Sequence, residues 1–112
     1  MLEIYGINVT LMVANLDRAI LFYTEILGLK LKSRFGNHWA EIAGPGITIG
    51  LHPTREPVAS GDNMQIGIRV PDIQNARSIL IEKGIVFKTT EDQVRLSHFK
   101  DPDDNILYLV QT

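Results

Sequence analysis

Residues 8–30, NVTLMVANLDRAILFYTEILGLK, and residues 65–87, QIGIRVPDIQNARSILIEKGIVF, read as one design written twice. Setting Val13 against Val70 gives an offset of 57 (70 − 13), and the same offset pairs Leu11 with Ile68, Val9 with Ile66, Asn15 with Asp72, Leu16 with Ile73 and Ala19 with Ala76. Each copy starts with the apolar alternation of a strand, continues through a residue able to cap a helix into an amphipathic run, and stops at a glycine, Gly28 or Gly84. A duplicated unit of this kind predicts a molecule with internal pseudo-twofold symmetry.

Working outward from the first copy, residues 4–13 alternate. Val9, Leu11 and Val13 fall on one face of a strand and Asn8, Thr10 and Met12 on the other. Asn15 is placed to cap the following helix, with Asp17 at the positive end of its dipole. That helix is expected to run to about Leu27, with Leu16, Ala19, Ile20, Tyr23 and Leu27 facing the sheet. Three shorter strands are predicted near 29–35, 38–43 and 46–51, divided by Gly36-Asn37 and Gly44-Pro45-Gly46.

Residues 53–63 carry Pro, Gly and polar groups without a period and read as a connection. The second copy then supplies a strand from Met64, an Asp72-capped helix with Ile73, Ala76 and Leu80 in its stripe, and strands near 85–89, 93–99 and 105–110. The turn Asp101-Pro102-Asp103-Asp104-Asn105 precedes the last strand. The expected fold is α+β: two βαβββ modules in one chain, about 1–52 and about 64–112, sharing one domain. They form a curved mixed sheet with a concave cup and the helices on its outer face.

Composition narrows the function classes. A chain of 112 residues with 45% hydrophobic and 21% charged residues suits one globular domain, and a net charge of −2 gives no electrostatic pull toward nucleic acid or an anionic membrane. There is no cysteine, which excludes disulfides, thiolate nucleophiles and cysteine-ligated zinc. No stretch approaches the ~20 apolar residues of a membrane span and the N-terminus has no basic leader region, so a cytoplasmic, unprocessed protein is expected.

Helices must cover the rows Val9/Leu11/Val13 and Ile66/Ile68/Val70, and the same parity puts Ile47, Ile49, Leu51, Leu107 and Leu109 beneath them. The opposite face is left as a mixed wall of the kind that small-molecule pockets use. The candidate ligand-binding residues are Asn8, Thr10, Met12, Trp39, Thr48, His52, Gln65, Arg69 and Tyr108. Arg69 offers a planar fork to an anionic group, Tyr108 a hydroxyl donor, Trp39 a stacking surface, and His52 a possible ligand or base near the rim. His38 and His98 read as surface or packing residues, and the 101–105 aspartates lack the spacing of a calcium loop.

The stretch V-A-N-L-D-R-A-I-x-F-Y-x-E-I-L-G-L (13–29), the run I-T-I-G-L-H-P (47–53) and F-x-D-P-D-D-N-x-x-x-L (99–109) resemble the vicinal oxygen chelate superfamily. That group includes glyoxalase I, extradiol dioxygenases, methylmalonyl-CoA epimerase and the fosfomycin- and bleomycin-resistance proteins. The resemblance implies paired βαβββ modules, often as a homodimer, and a divalent metal in the enzymatic members. It puts the metal donors at four places that here hold Asn8, Gly50, Gln65 and Tyr108, of which only Gln65 is a usual ligand type.

The expectation is a small-molecule-binding protein without a cofactor and without catalytic residues that the sequence can name. The alternatives are a metal-dependent lyase, isomerase or dioxygenase whose ligands are misplaced by a register slip, and a non-catalytic association or regulatory domain.

Overall fold

The computed structural model describes residues 1–58, 64–88 and 95–112. The chain divides into two units, Met1–Val58 and Ala59–Thr112. In the first, β1 (Val9–Val13) leads into α1 (Leu16–Leu21), which continues through a π-helical turn, Phe22–Ile26, to β2 (Lys30–Phe35), β3 (Trp39–Gly44) and β4 (Ile47–Pro53). The sheet order is β1-β4-β3-β2, with β1 parallel to β4 and the other pairs antiparallel. The second unit contains β5 (Gln65–Val70), α2 (Ile73–Glu82), β6 (Leu96–Lys100) and β7 (Ile106–Gln111) in the order β5-β7-β6, with β5 parallel to β7. The strands expected to make one surface are therefore two sheets, one in each unit.

The repeat extends to individual hydrogen bonds. Val9 pairs with Ile49 where Ile66 pairs with Leu107. Beyond these pairs the Thr54 N–H donates to the Val13 carbonyl at 2.9 Å, and the Thr112 N–H to the Val70 carbonyl at 3.1 Å. Asn15 Oδ1 accepts from the Arg18 N–H (2.9 Å) and Asp72 Oδ1 from the Asn75 N–H (3.1 Å), so both helices begin with the expected side-chain cap.

The repeat slips by one residue at the helix ends, since Gly28 to Gly84 is 56 rather than 57. The π turn accounts for the slip, because a π-helical bulge takes one extra residue into a helix without breaking its course. Gly28 (φ 78°) and Gly84 (φ 94°) then stop the two helices in the left-handed conformation.

Each core lies between a helix and one face of its own sheet. α1 rests on β3 and β4, and α2 on β7. Val13, Leu16, Tyr23, Ile42, Ile49 and Leu51 are fully buried in the first unit, and Ile73, Leu107 and Leu109 in the second. Each such side chain contributes about 1.5–3 kcal/mol. Phe22, absent from the expected stripe, is also buried, three residues after Ala19 and beside Tyr23 with ring centroids 5.1 Å apart. Ile20 and Leu27 are half-buried.

Three expectations are corrected by the structure. β1 begins at Val9 rather than near residue 4: its pairing with β4 starts at Val9–Ile49, and residues 1–8 are exposed and outside any strand, so their alternation does not lie in the sheet. Ile47, at that strand end, stays 37% exposed rather than lying under the helix. Residues 85–88 do not form a regular strand, although the Lys88 N–H donates to the His98 carbonyl (2.9 Å).

The 85–88 segment is instead pinned by side chains: Phe87 packs on Phe99 at 5.4 Å, and the Arg77 guanidinium lies 4.5 Å over Phe87 while donating to the Ser97 hydroxyl at 2.8 Å. Residue 89 and residues 93–94 of the expected 85–89 and 93–99 strands, and residues 59–63 of the connection, lie outside the described residues. Among the described residues no helix is long and apolar enough to cross a membrane.

Candidate functional site

In the first unit, the face turned away from α1 is organised around Gly50. Across the sheet Gly50 lies between Thr10 on β1 and Glu41 on β3, and Glu41 in turn pairs with Ser33 on β2. One row therefore carries Thr10, Gly50, Glu41 and Ser33. The Ser33 hydroxyl donates to Glu41 Oε1 at 2.8 Å. The Trp39 indole covers the glycine: a Cβ built at position 50 would stand 2.2 Å from its Cη2, 2.7 Å from Cζ2 and 2.9 Å from Thr10 Oγ1. Only a residue without a side chain admits the ring at that depth.

The sequence candidates Thr10, Met12, Trp39, Thr48 and His52 share this face. His52 is a β4 residue paired with Met12, and its ring meets the indole edge-on at a centroid distance of 6.2 Å. Asn8 is exposed and lies one residue before β1.

The second unit repeats the device with other residues. Gly67 on β5 pairs with Tyr108 on β7, and a Cβ at Gly67 would come within 2.5 Å of Tyr108 Cζ and Oη. The phenol ring thus lies on the glycine as the indole lies on Gly50. His98 on β6 pairs with Tyr108, their rings 5.3 Å apart and tilted by 40°. His98 Nε2 stands 3.2 Å from Gln65 Oε1, the ring nitrogen donating when it carries the proton. Arg69 is exposed further along the same side of β5.

Glu41, which the sequence reading did not name, and His98, which it read as a surface or packing residue, occupy equivalent positions, 57 apart. The signal was present in both strands. Ala40 and Ile42 are the buried residues of β3, and Ser97 and Phe99 those of β6, so alternation puts Glu41 and His98 on the opposite face.

The remaining acidic motif is structural. The buried carboxylate of Asp101 accepts from the Asp103 and Asn105 N–H groups and from Asn105 Nδ2, at 2.8–2.9 Å, which shapes the turn before β7. Asp104 occupies the left-handed region there (φ 64°).

The side chains at the four expected donor places do not fit a divalent metal. Gly50 has no donor and its space is filled by the indole, Tyr108 lies flat on Gly67, Gln65 is engaged with His98, and Asn8 sits outside its strand. Among the described residues no group of three or more His, Cys, Asp or Glu side chains is gathered to hold an ion.

A family model described as Glyoxalase/Bleomycin resistance protein/Dioxygenase superfamily matches residues 7–109. An uncharacterized protein of Mycolicibacterium smegmatis is 35% identical over 86 residues, covering 75% of this chain and 72% of that protein. An integron cassette protein from the mobile metagenome of the Halifax Harbour sewage outfall superposes with a TM-score of 0.78 at 24% identity, covering 97% of this chain and 100% of that one. TnmS3, an antibiotic binding protein from a Streptomyces species, gives 0.74 at 22% identity, covering 97% and 98%. At such identities the structural likeness speaks for the fold.

Proposed function

The chain belongs to the Glyoxalase/Bleomycin resistance protein/Dioxygenase superfamily, and from that footing we propose that it is a member that binds a small apolar or aromatic molecule without a bound metal. The observation carrying this reading is the aromatic ring laid on a strand glycine in each unit, Trp39 on Gly50 and Tyr108 on Gly67. A ring seated on backbone is held at a fixed depth and presents a preformed apolar surface, with Thr10 and His52 beside Trp39 in the first unit, and Gln65 and His98 beside Tyr108 in the second, as polar groups that orient a ligand. At Gly50 the same ring takes the space that a metal-binding side chain would need. That an antibiotic binding protein shares the fold is consistent with a sequestering or carrying role. The proposal includes a cytoplasmic homodimer.

A small-molecule library screened by thermal shift, with Trp39 emission followed in parallel, tests the reading. Ligands that raise the melting temperature and change the emission, unaffected by chelator, are the expected result. Stoichiometric divalent metal in protein purified without chelators or a nickel column would favour a metal-dependent lyase, isomerase or dioxygenase instead. Failure of every compound to bind would favour an association domain, and a concentration-independent monomer mass in light scattering would remove the dimer.

A further inference from the structure

Glu41 is a half-buried carboxylate on a sheet face that carries aromatic rings. Ser33 serves one of its oxygens, and no cation is paired with it among the described residues. Arg34, the nearest guanidinium in sequence, is committed to Asp17 at 2.7 Å, and its pairing with Ala40 puts it on the helix side of the sheet. Lys30 shares the face but stands opposite Ala43, two pairs along from the Ser33–Glu41 row. A carboxylate partly withdrawn from water without a counter-charge favours whatever cation can reach it.

Trp39 precedes Glu41 by two residues on the same side of β3, about 6.8 Å along a strand. Phe35, 59% exposed, is paired directly with Trp39 and adds a second ring to that side. One face of the indole rests on Gly50, so the ring cannot sink further. Two aromatic residues on the same sheet face as a carboxylate held by a hydroxyl form a combination that recognises an organic cation, through ring quadrupoles and charge together.

Resting on the small-molecule reading above, we propose that the face formed by Phe35, Trp39 and Glu41 selects a planar aromatic ligand bearing a positive charge, a protonated or quaternary nitrogen, with that charge placed against Glu41. Trp39 forms the floor on which the ligand stacks and Ser33 positions the carboxylate.

The chain has a single tryptophan, so the indole N–H gives one assignable NMR signal on this face. Three bicyclic probes of similar size, 1-methylquinolinium, quinoline at pH 8 and 1-naphthoate, are titrated while that signal is followed. The cation is expected to bind roughly tenfold more tightly than quinoline, and the anion most weakly, from Coulomb attraction and the cation–π contact. Glu41→Gln, which keeps an oxygen for the Ser33 hydroxyl, should cut the preference to about twofold and leave quinoline affinity unchanged within about twofold. Glu41→Asp should keep most of the preference. Glu82→Gln on α2 controls for net charge and should keep all of it.

Equal binding of cation and quinoline to the wild type, or a preference that survives Glu41→Gln, overturns this inference while leaving the small-molecule reading intact. If no probe of any charge moves the indole signal at millimolar concentration, the small-molecule reading of this face fails together with it.

Discussion

An alanine at position 50 puts a methyl group into the space that the Trp39 ring occupies. Gly50 is not among the glycines with positive φ, so alanine meets no backbone strain and the collision alone decides the outcome. With Cη2 at 2.2 Å, Cζ2 at 2.7 Å and Thr10 Oγ1 at 2.9 Å from the new Cβ, the indole must leave its seat.

Three effects set the magnitude. Restricting the unfolded chain by replacing glycine favours the variant by about 0.4–1 kcal/mol. Overpacking typically costs ~1–3 kcal/mol. Lifting the ring re-exposes roughly 50–100 Å² of apolar area, about 1–2.5 kcal/mol at ~25 cal/mol per Å² and overlapping the previous cost. Because the clashing atoms are the far end of a side chain, part of the cost relaxes by rotation. The expected net destabilisation is about 1–2 kcal/mol, a fall in Tm of about 4–8 °C for a chain of this size.

The assay is urea denaturation followed by circular dichroism in a double-mutant cycle with Trp39→Ala. Without the indole, Gly50→Ala should become neutral or slightly stabilising, giving a coupling energy of about 1 kcal/mol or more. If Gly50→Ala costs as much in the Trp39→Ala background as in the wild type, the ring does not sit on Gly50 and the account of this face is refuted.

Gly67→Ala should cost about 1 kcal/mol by the same collision, relieved by Tyr108→Ala, as read from the same type of cycle. Asp101→Ala removes an acceptor of three hydrogen bonds from a buried turn and is expected to lower stability by about 2–4 kcal/mol, visible as a lower urea midpoint. Arg34→Ala breaks an ion pair whose Asp17 side chain is 78% exposed, so its loss should cost less than about 1 kcal/mol and shrink further in salt. Gln65→Ala trims an exposed side chain and should leave stability within about 0.5 kcal/mol, measured in the same denaturation series.

The repeat was legible because its signals are local. Asn15 and Asp72 cap their helices with their own side chains, Gly28 and Gly84 stop them with their own backbone, and alternation identifies Ile49, Leu51, Leu107 and Leu109 as buried. The extra residue of the first helix was also present in the spacing, as 56 at the glycines against 57 elsewhere, but only the π turn explains it.

The arrangement on the opposite faces was not legible. Alternation says that Trp39 and Tyr108 lie on a given side of a strand, yet not that their rings fold back over Gly50 and Gly67. Ring direction depends on a rotamer, and that rotamer is available only because the neighbouring strand presents a glycine. His98 was set aside as a surface or packing residue because its own strand gives no hint of a partner. Gln65 reaches it only through β7, by a register that pairing sets. β1 was read too long because alternation continues through residues 4–8, and alternation alone does not say where cross-strand pairing begins.

The central claim, small-molecule binding without metal, is tested most directly by isothermal titration of a ligand obtained from the thermal-shift screen, into protein as purified and into the same protein dialysed against chelator. The account predicts one saturable isotherm with the same Kd in both preparations, accompanied by a change in Trp39 emission. Loss of binding after chelation, restored by adding back a divalent cation, would contradict it.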